Sequence, residues 1–327
     1  MNKYFWRNKV VLLTGCEGFL GSNLAKRLVS YGAKIVGLDI KVKRNCGILS
    51  KEDYGKIIII KGDVAKYSLI KEIITRYKIE IVFHLAAEAI VKKCTENPLR
   101  TFSSNIQGTW NVLEACRNVS RIKAIIIASS DKAYGTHTKL PYREDASLIG
   151  RHPYDVSKSC ADLISHAYFN TYNLPVGVTR CGNIYGPGDF NFTRIIPDAI
   201  RCLLWNKPII IRSDGKFIRD YIYIDDIVNG YILLAEKLRK LKLGGEAFNF
   251  GDENPITVVS LIKMLCRLAK IKPDYKILNQ AQYEIRRQYL SSQKARTTLG
   301  WKPKYGLEDG LRRTFEWYRN CIIKKNI

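Results

Sequence analysis

The stretch KVVLLTGCEGFLGSNLAKRLVSYG, residues 9–32, limits the fold more than any other part of the chain. An apolar run (9–15) reads as a buried strand and ends in glycine. A segment with helical spacing (22–32) follows and stops at Gly32. Three glycines lie in the turn between them. Gly15 permits a tight turn, Gly18 lets the backbone approach an anion, and Gly21 lets the helix pack closely on the sheet. The helix start then offers unpaired N–H groups and a positive dipole end to that anion. A second strand (33–39) closes on Asp39, about twenty residues further on, as a dinucleotide site requires. A carboxylate there accepts hydrogen bonds from a ribose 2′-hydroxyl and repels a 2′-phosphate, which favours NAD over NADP. The cations Lys41, Lys43 and Arg44 work against that preference. Read without this context, the glycines would be ordinary turn residues.

The same rhythm continues. Strands are expected at 56–63, 80–87, 121–130 and 175–183. Helices are expected at 68–78, 101–119 and 154–173. Continuous apolar strands alternating with helices predict an α/β fold, a doubly wound parallel Rossmann sheet. The second half is less regular and richer in Pro, Gly and aromatics. It reads as a smaller, interleaved substrate lobe. The expected division gives 1–182 and 220–245 to the NAD-binding domain, and 183–219 and 246–327 to the lobe.

The 327 residues carry a net charge of +24. The basic residues are spread along the chain, with no arginine-rich run, zinc-finger spacing or RNP-type stretch. A general bias toward Lys and Ile, together with attraction of a polyanionic small substrate, therefore accounts for the charge better than nucleic-acid binding does. Nine scattered cysteines without a CxxC pair point to free thiols in a reducing cytoplasm, with no disulfide framework and no metal site. No apolar run approaches the ~18 residues of a membrane span, and no secretory leader is expected.

Chemistry concentrates after the fifth strand, in SSDKAYG (129–135) and YDVSK (154–158). Tyr154 and Lys158 stand four apart and share a helix face. A nearby ammonium favours the phenolate, so Tyr154 could take a proton from a sugar hydroxyl while hydride leaves the adjoining carbon. Ser130 could hydrogen-bond the same oxygen.

These stretches, with GDV (62–64), HLAA (84–87), NIQGTWNVLEA (105–115), RCGNIYGPGD (180–189), RDYIYIDD (219–226) and LGWKP (299–303), resemble the extended short-chain dehydrogenase/reductases. The resemblance is to the nucleotide-sugar epimerases and dehydratases, and it spans nearly the whole chain. It implies bound NAD, a Ser130–Tyr154–Lys158 trio and a nucleoside-diphosphate sugar held by the C-terminal lobe. It further implies that Asp63 contacts the adenine, and that Gly15, Gly18, Phe19, Leu20, Gly21, Asp39, Val64, Leu85, Ala86 and Ala87 line the cofactor with Tyr154 and Lys158. Asn183, Arg194 and Arg219 are implied at the substrate, and a homodimer through the helices at 101–119 and 154–173. His84 reads as a packing residue, and Asn183 could equally cap a turn.

Within that family the pair after the catalytic serine separates reaction types. Here it is Asp131 and Lys132, which resembles the CDP-glucose 4,6-dehydratase branch. The stretches at 188–201 and 284–301 resemble that branch too, whereas 213–226 is closer to the epimerases. Oxidation at carbon 4 acidifies the proton on carbon 5, and an acid must then protonate the departing hydroxyl on carbon 6. Asp131, kept protonated by burial, suits the acid. Lys132 suits the base, or a charge that stabilises the enolate. A polar pair that merely contacts substrate hydroxyls, or forms a loop salt bridge, is the plainer reading. A 4,6-dehydratase is thus expected, with a 4-epimerase as the alternative. A non-catalytic NAD- or RNA-binding member is more remote, since Tyr154 and Lys158 are both present.

Overall fold

The computed structural model describes residues 2–42, 47–281 and 284–325. Lys43, Arg44 and Cys46, weighed above, lie outside them. The strands of the first half are β1 (Val10–Thr14), β2 (Lys34–Asp39), β3 (Ile57–Lys61), β4 (Ile81–His84), β5 (Ala124–Ala128) and β6 (Val176–Cys181). Then come β7 (Asn183–Tyr185), β8 (Ile209–Ile211), β9 (Ile218–Arg219), β10 (Tyr221–Tyr223), β11 (Ala247–Phe250), β12 (Ile256–Thr257), β13 (Tyr275–Ile277) and β14 (Arg287–Gln288). The longer helices are α1 (Phe19–Ser30), α2 (Tyr67–Arg76), α3 (Gly108–Arg117), α4 (Pro153–Tyr172), α5 (Ile195–Leu204), α6 (Ile224–Lys237), α7 (Val258–Ala269) and α8 (Leu307–Lys325).

Seven strands form one parallel sheet in the order β11-β6-β5-β4-β1-β2-β3. Alternate side chains enter different cores. Val11, Leu13, Ile81, Phe83 and Ile126 join one, and Leu12, Val82, Ile125 and Ile127 join the other. Each such side chain, once fully buried, contributes about 1.5–3 kcal/mol of hydrophobic stabilisation. This is why the strands read as unbroken apolar runs. Strand β11 falls in the stretch expected to belong to the smaller lobe, yet it pairs with β6 from Ala247↔Val178 to Phe250↔Cys181. Its central residues Phe248 and Asn249 are fully buried, so it completes the sheet edge rather than the lobe.

The chain leaves β1 for β2 and β3 on one side and builds from β4 outward on the other. Ligands bind at such a reversal, beyond the carboxyl ends of the strands. Those ends carry Gly15, Asp39, Leu85–Ala87, Ser130 and Asn183. The lobe is made of short pairings: β7 with β10, β9 with β12 and β14, and β8 with β13.

The helix expected at 101–119 is not continuous. A short helix, Pro98–Phe102, gives way to a π-helical turn, Ser103–Gln107, before α3. The wider turn re-aims Asn105 inward. Its side chain accepts the Glu88 N–H at 2.8 Å and donates to Glu88 O at 3.0 Å and Ser157 Oγ at 2.9 Å. Gly108 follows because a Cβ there would stand 2.6 Å from a Val64 methyl.

Candidate active site

The glycine turn has the shape its sequence implies. Gly15 has φ +72°, and a Cβ on it would lie 2.9 Å from Ala86 N. A Cβ on Gly21 would lie 2.0 Å from Gly15 O, so α1 reaches the turn only with glycine at that position. Helix α1 starts at Gly18 with no side-chain cap and no acidic residue in its first turn. Its N–H groups are left for an anion. Phe19 and Leu20 sit half-buried in that first turn. Asp39 ends β2 and is held by the N–H groups of Glu17 and Lys41, at 3.0 and 3.1 Å. Asp63 accepts from Ala65 N and from the Arg100 guanidinium at 2.7 Å. Burial raises the pKa of its carboxyl, but these donors outweigh that and hold it below its ordinary value. Val64 is buried against Gly108, and its carbonyl accepts from Asn111. Together these residues make an uncapped helix start, a crowd-free glycine turn and a fixed carboxylate, and that set fits a dinucleotide.

His84 explains how the backbone facing Gly15 is held. Thr14 Oγ1 accepts the N–H groups of Leu85 and Ala86 at 3.2 and 3.1 Å. Its own proton is then free to go to His84 Nδ1, 2.8 Å away, which leaves the ring proton on Nε2. Burial, and then the nearby Lys158, lowers the imidazole pKa to about 3. A neutral His84 thus pins Thr14, and Thr14 fixes the Leu85–Ala86 backbone beside Gly15.

Ser130 leaves β5 in extended conformation and caps a 3-10 turn, Asp131–Tyr134. Its hydroxyl accepts Lys132 N–H at 3.2 Å and donates to Asp131 Oδ1 at 3.0 Å. Asp131 is 4% exposed, and its other oxygen is buried without a hydrogen-bond partner among the described residues. An unpaired buried polar oxygen costs about 1–3 kcal/mol, which a hydrogen bond from a bound molecule would relieve. Burial raises the Asp131 pKa, opposed by Lys132, Ser130 and Arg219. Lys132 is half-buried and bears electrostatically on Asp131 and Asp155. Among the described residues its ammonium makes no hydrogen bond or salt bridge.

Tyr154 and Lys158 lie on one face of α4, with Nζ 5.9 Å from the ring centre. Nζ donates to Ala128 O at 2.7 Å, which ties the helix to the end of β5. Burial lowers the Lys158 pKa to about 8. Tyr154 is half-buried, and desolvation raises the pKa of its phenol, while Ser130 and Arg194 pull it down.

The three lobe residues are placed differently. Arg219 is buried, donates to Ile218 O, Arg286 O and Glu284, and acts on Asp131. Arg194 pairs with Asp189 at 3.0 Å and keeps a 40% exposed side chain beside Tyr154. Asn183 leans on Asp220 O at 3.4 Å. Asn105 and Asp220 were not singled out from sequence, and Thr14 only as part of the glycine-turn stretch. The Asp220 carboxyl, raised to about 7 by burial, accepts from the backbone of Asp252 and Glu253. A separate cavity of about 380 Å³, lined by Tyr67, Glu114 and Arg121 among others, contains none of these groups. No group of His, Cys, Asp or Glu among the described residues could hold a metal ion.

A parallel sheet with a glycine turn at its switch point, and Ser, Tyr and Lys beyond β5, defines an extended short-chain dehydrogenase/reductase. Residues 12–314 match the family described as GDP-mannose 4,6 dehydratase. The chain belongs to that family. It is 33% identical to a CDP-glucose 4,6-dehydratase of Salmonella typhimurium, over 98% of this chain and 94% of the other. It is 32% identical to a UDP-glucuronate 4-epimerase of Thermodesulfobacterium geofontis, over 95% and 96%. The dTDP-glucose 4,6-dehydratase of Bacillus anthracis, solved in complex with NAD, superposes with a TM-score of 0.85 at 27% identity, covering 96% of this chain and 98% of that one.

Proposed function

We propose that the protein is an NAD-dependent nucleotide-sugar 4,6-dehydratase, acting on CDP-glucose or a close analogue. The observation that carries this reading is Asp131: a buried carboxyl, raised by desolvation, with one oxygen left without a partner. Bound NAD would supply hydride acceptance from carbon 4 and hydride return to carbon 6. Gly15, Gly18, Gly21, Asp39, Asp63 and the 85–87 backbone would hold it.

The chain's own residues do the proton work. Tyr154, with the Lys158 ammonium nearby, takes the proton of the 4-hydroxyl, and Ser130 orients that oxygen. Asp131 gives its proton to the departing 6-hydroxyl, which leaves as water. Lys132, as a free amine, takes the carbon-5 proton; as an ammonium it instead stabilises the enolate, and the carbon-5 proton then passes to water. Asn183 and Arg219 are assigned to the diphosphate end, and Arg194 to the substrate. The division into an NAD-binding domain and a sugar-nucleotide lobe is part of this reading, with β11 moved to the former.

A homodimer is proposed through the helices flanking the site, where Leu99, Trp110, Leu163 and Tyr172 are 82%, 43%, 59% and 50% exposed. A cytoplasmic location is proposed from cysteine usage. No helix among the described residues is long and apolar enough to cross a membrane.

The likeness to 4-epimerases keeps a second reading in view. Incubation with CDP-, UDP-, dTDP- and GDP-hexoses separates the two. A dehydratase yields a product lighter by one water that absorbs in strong alkali, whereas an epimerase yields a product of unchanged mass.

A further inference from the structure

One buried ionic cluster takes no part in the chemistry above. Arg180, on β6, is 6% exposed. Its Nε and Nη2 donate to Asp162 Oδ2 and Oδ1, both at 2.8 Å, and Asp162 lies on α4 one turn beyond Lys158. Its Nη1 donates to Tyr134 Oη at 2.7 Å and to Glu144 O at 3.0 Å. Tyr134 is the last residue of the 3-10 turn that begins with Asp131. Its hydroxyl donates to Asn249 Oδ1, on β11, at 2.8 Å. A buried ion pair is weak evidence for stability, because apolar side chains of similar volume often serve as well. A pair that spends its donors on the catalytic turn calls for another explanation.

We propose that Arg180 and Tyr134 form a positioning node that sets Asp131 and Lys132 against α4, and so governs elimination more than oxidation. The proposal rests on the dehydratase reading. The turn is short, and Tyr134 is three residues from Asp131, so a shift at one end reaches the other. Asn249 Nδ2 also donates to Tyr142 O, Tyr142 Oη donates to Gly135 O, and the Tyr134 and Tyr142 rings stack at 4.9 Å. Tyr142 in turn is hydrogen-bonded to the backbone of Tyr289 and Ser291, just past β14, whose neighbour β9 carries Arg219. The node therefore links the catalytic turn to the lobe that carries Arg219, whose charge acts on Asp131. Helix α4 keeps anchors outside the node, Lys158 Nζ to Ala128 O, Ser129 Oγ to Lys158 O and Asn105 to Ser157, and Ser159 Oγ also ties it to Ala133 O of the turn at 2.9 Å. Loosening the node should move Asp131 and leave Tyr154 in place.

The test uses Tyr134→Phe, which keeps the stacked ring, and Arg180→Lys, which keeps the charge. Hydrogen exchange should rise at 131–135 in both variants and stay unchanged at 154–160. With NAD and CDP-glucose, the first hydride transfer, read by absorbance of the reduced nicotinamide, should stay within about 2-fold. Formation of the 4-keto-6-deoxy sugar should fall by roughly 10- to 100-fold with KM little changed, the size expected of a displacement near 1 Å. Reduced cofactor would then accumulate during turnover. Equal loosening of both segments, or equal slowing of both steps, would overturn the proposal. If wild type does not turn over CDP-glucose, the substrate reading fails on its own, and the exchange arm still decides the node.

Discussion

Asp131 and Lys158 are both buried ionisable groups, and burial moves them in opposite directions. It raises the carboxyl above its ordinary value, the direction that suits an acid for the leaving hydroxyl. Asp131→Asn should therefore spare oxidation and slow water loss by about 10²–10⁴-fold, the usual span for a general acid. Single-turnover product analysis reads this, and wild-type elimination would remove Asp131 from the acid role. Lys132→Arg sorts its companion: retained turnover means a stabilising charge, since arginine cannot serve as a base. Burial lowers Lys158 to about 8. Its ammonium is present below that pH and lost above it, so oxidation should fall on the alkaline side with a limb near 8. Lys158→Arg should shift that limb upward, because the guanidinium stays charged. An unchanged limb in a pH profile of kcat/KM would assign it to another group. The same shift bears on stability. Between about 8 and 10.5 the unfolded chain binds a proton that the folded chain has lost, so Lys158 makes stability rise with pH across that window.

At the scale of elements, the exposed apolar face beside α4 is the feature with the clearest consequence. Leu163→Glu places a charge there, and sedimentation should show a shift toward monomer if that face pairs two chains. An unchanged mass would reject this surface. The strands were legible because parallel strands buried on both faces cannot avoid apolar runs, as in AIIIA of β5 and IVFH of β4. The glycine turn was legible because its constraints are steric and local. The interruption before α3 was not, since helical spacing runs through Ser103–Gln107, and only the tertiary partners of Asn105 call for the wider turn. Strand β11 escaped for a related reason. AFNF is short, and Asn249 is buried by contacts with Glu144 and Tyr142 more than a hundred residues earlier in the chain.

Across the whole molecule, the sheet supplies two kinds of group at one edge. The ends of β1, β2 and β4 carry the residues proposed to cradle the dinucleotide, and the turn after β5 brings Ser130 and Asp131 beside Tyr154 and Lys158. The lobe adds Arg219 from β9 and Arg194 from the start of α5. Tyr154 and Lys158 were visible in the sequence as a spacing. Asp131 was visible as a residue type at a telling position, but its unpartnered oxygen and the Arg180–Tyr134 node exist only in three dimensions. The arrangement as a whole serves one claim: hydrogen taken from carbon 4 of the hexose comes back at carbon 6 after water has left. The most direct measurement follows that hydrogen. With CDP-glucose carrying deuterium at carbon 4, the product should be lighter by one water and retain the deuterium, now on carbon 6. A product of unchanged mass with deuterium still on carbon 4 and inverted configuration would contradict it.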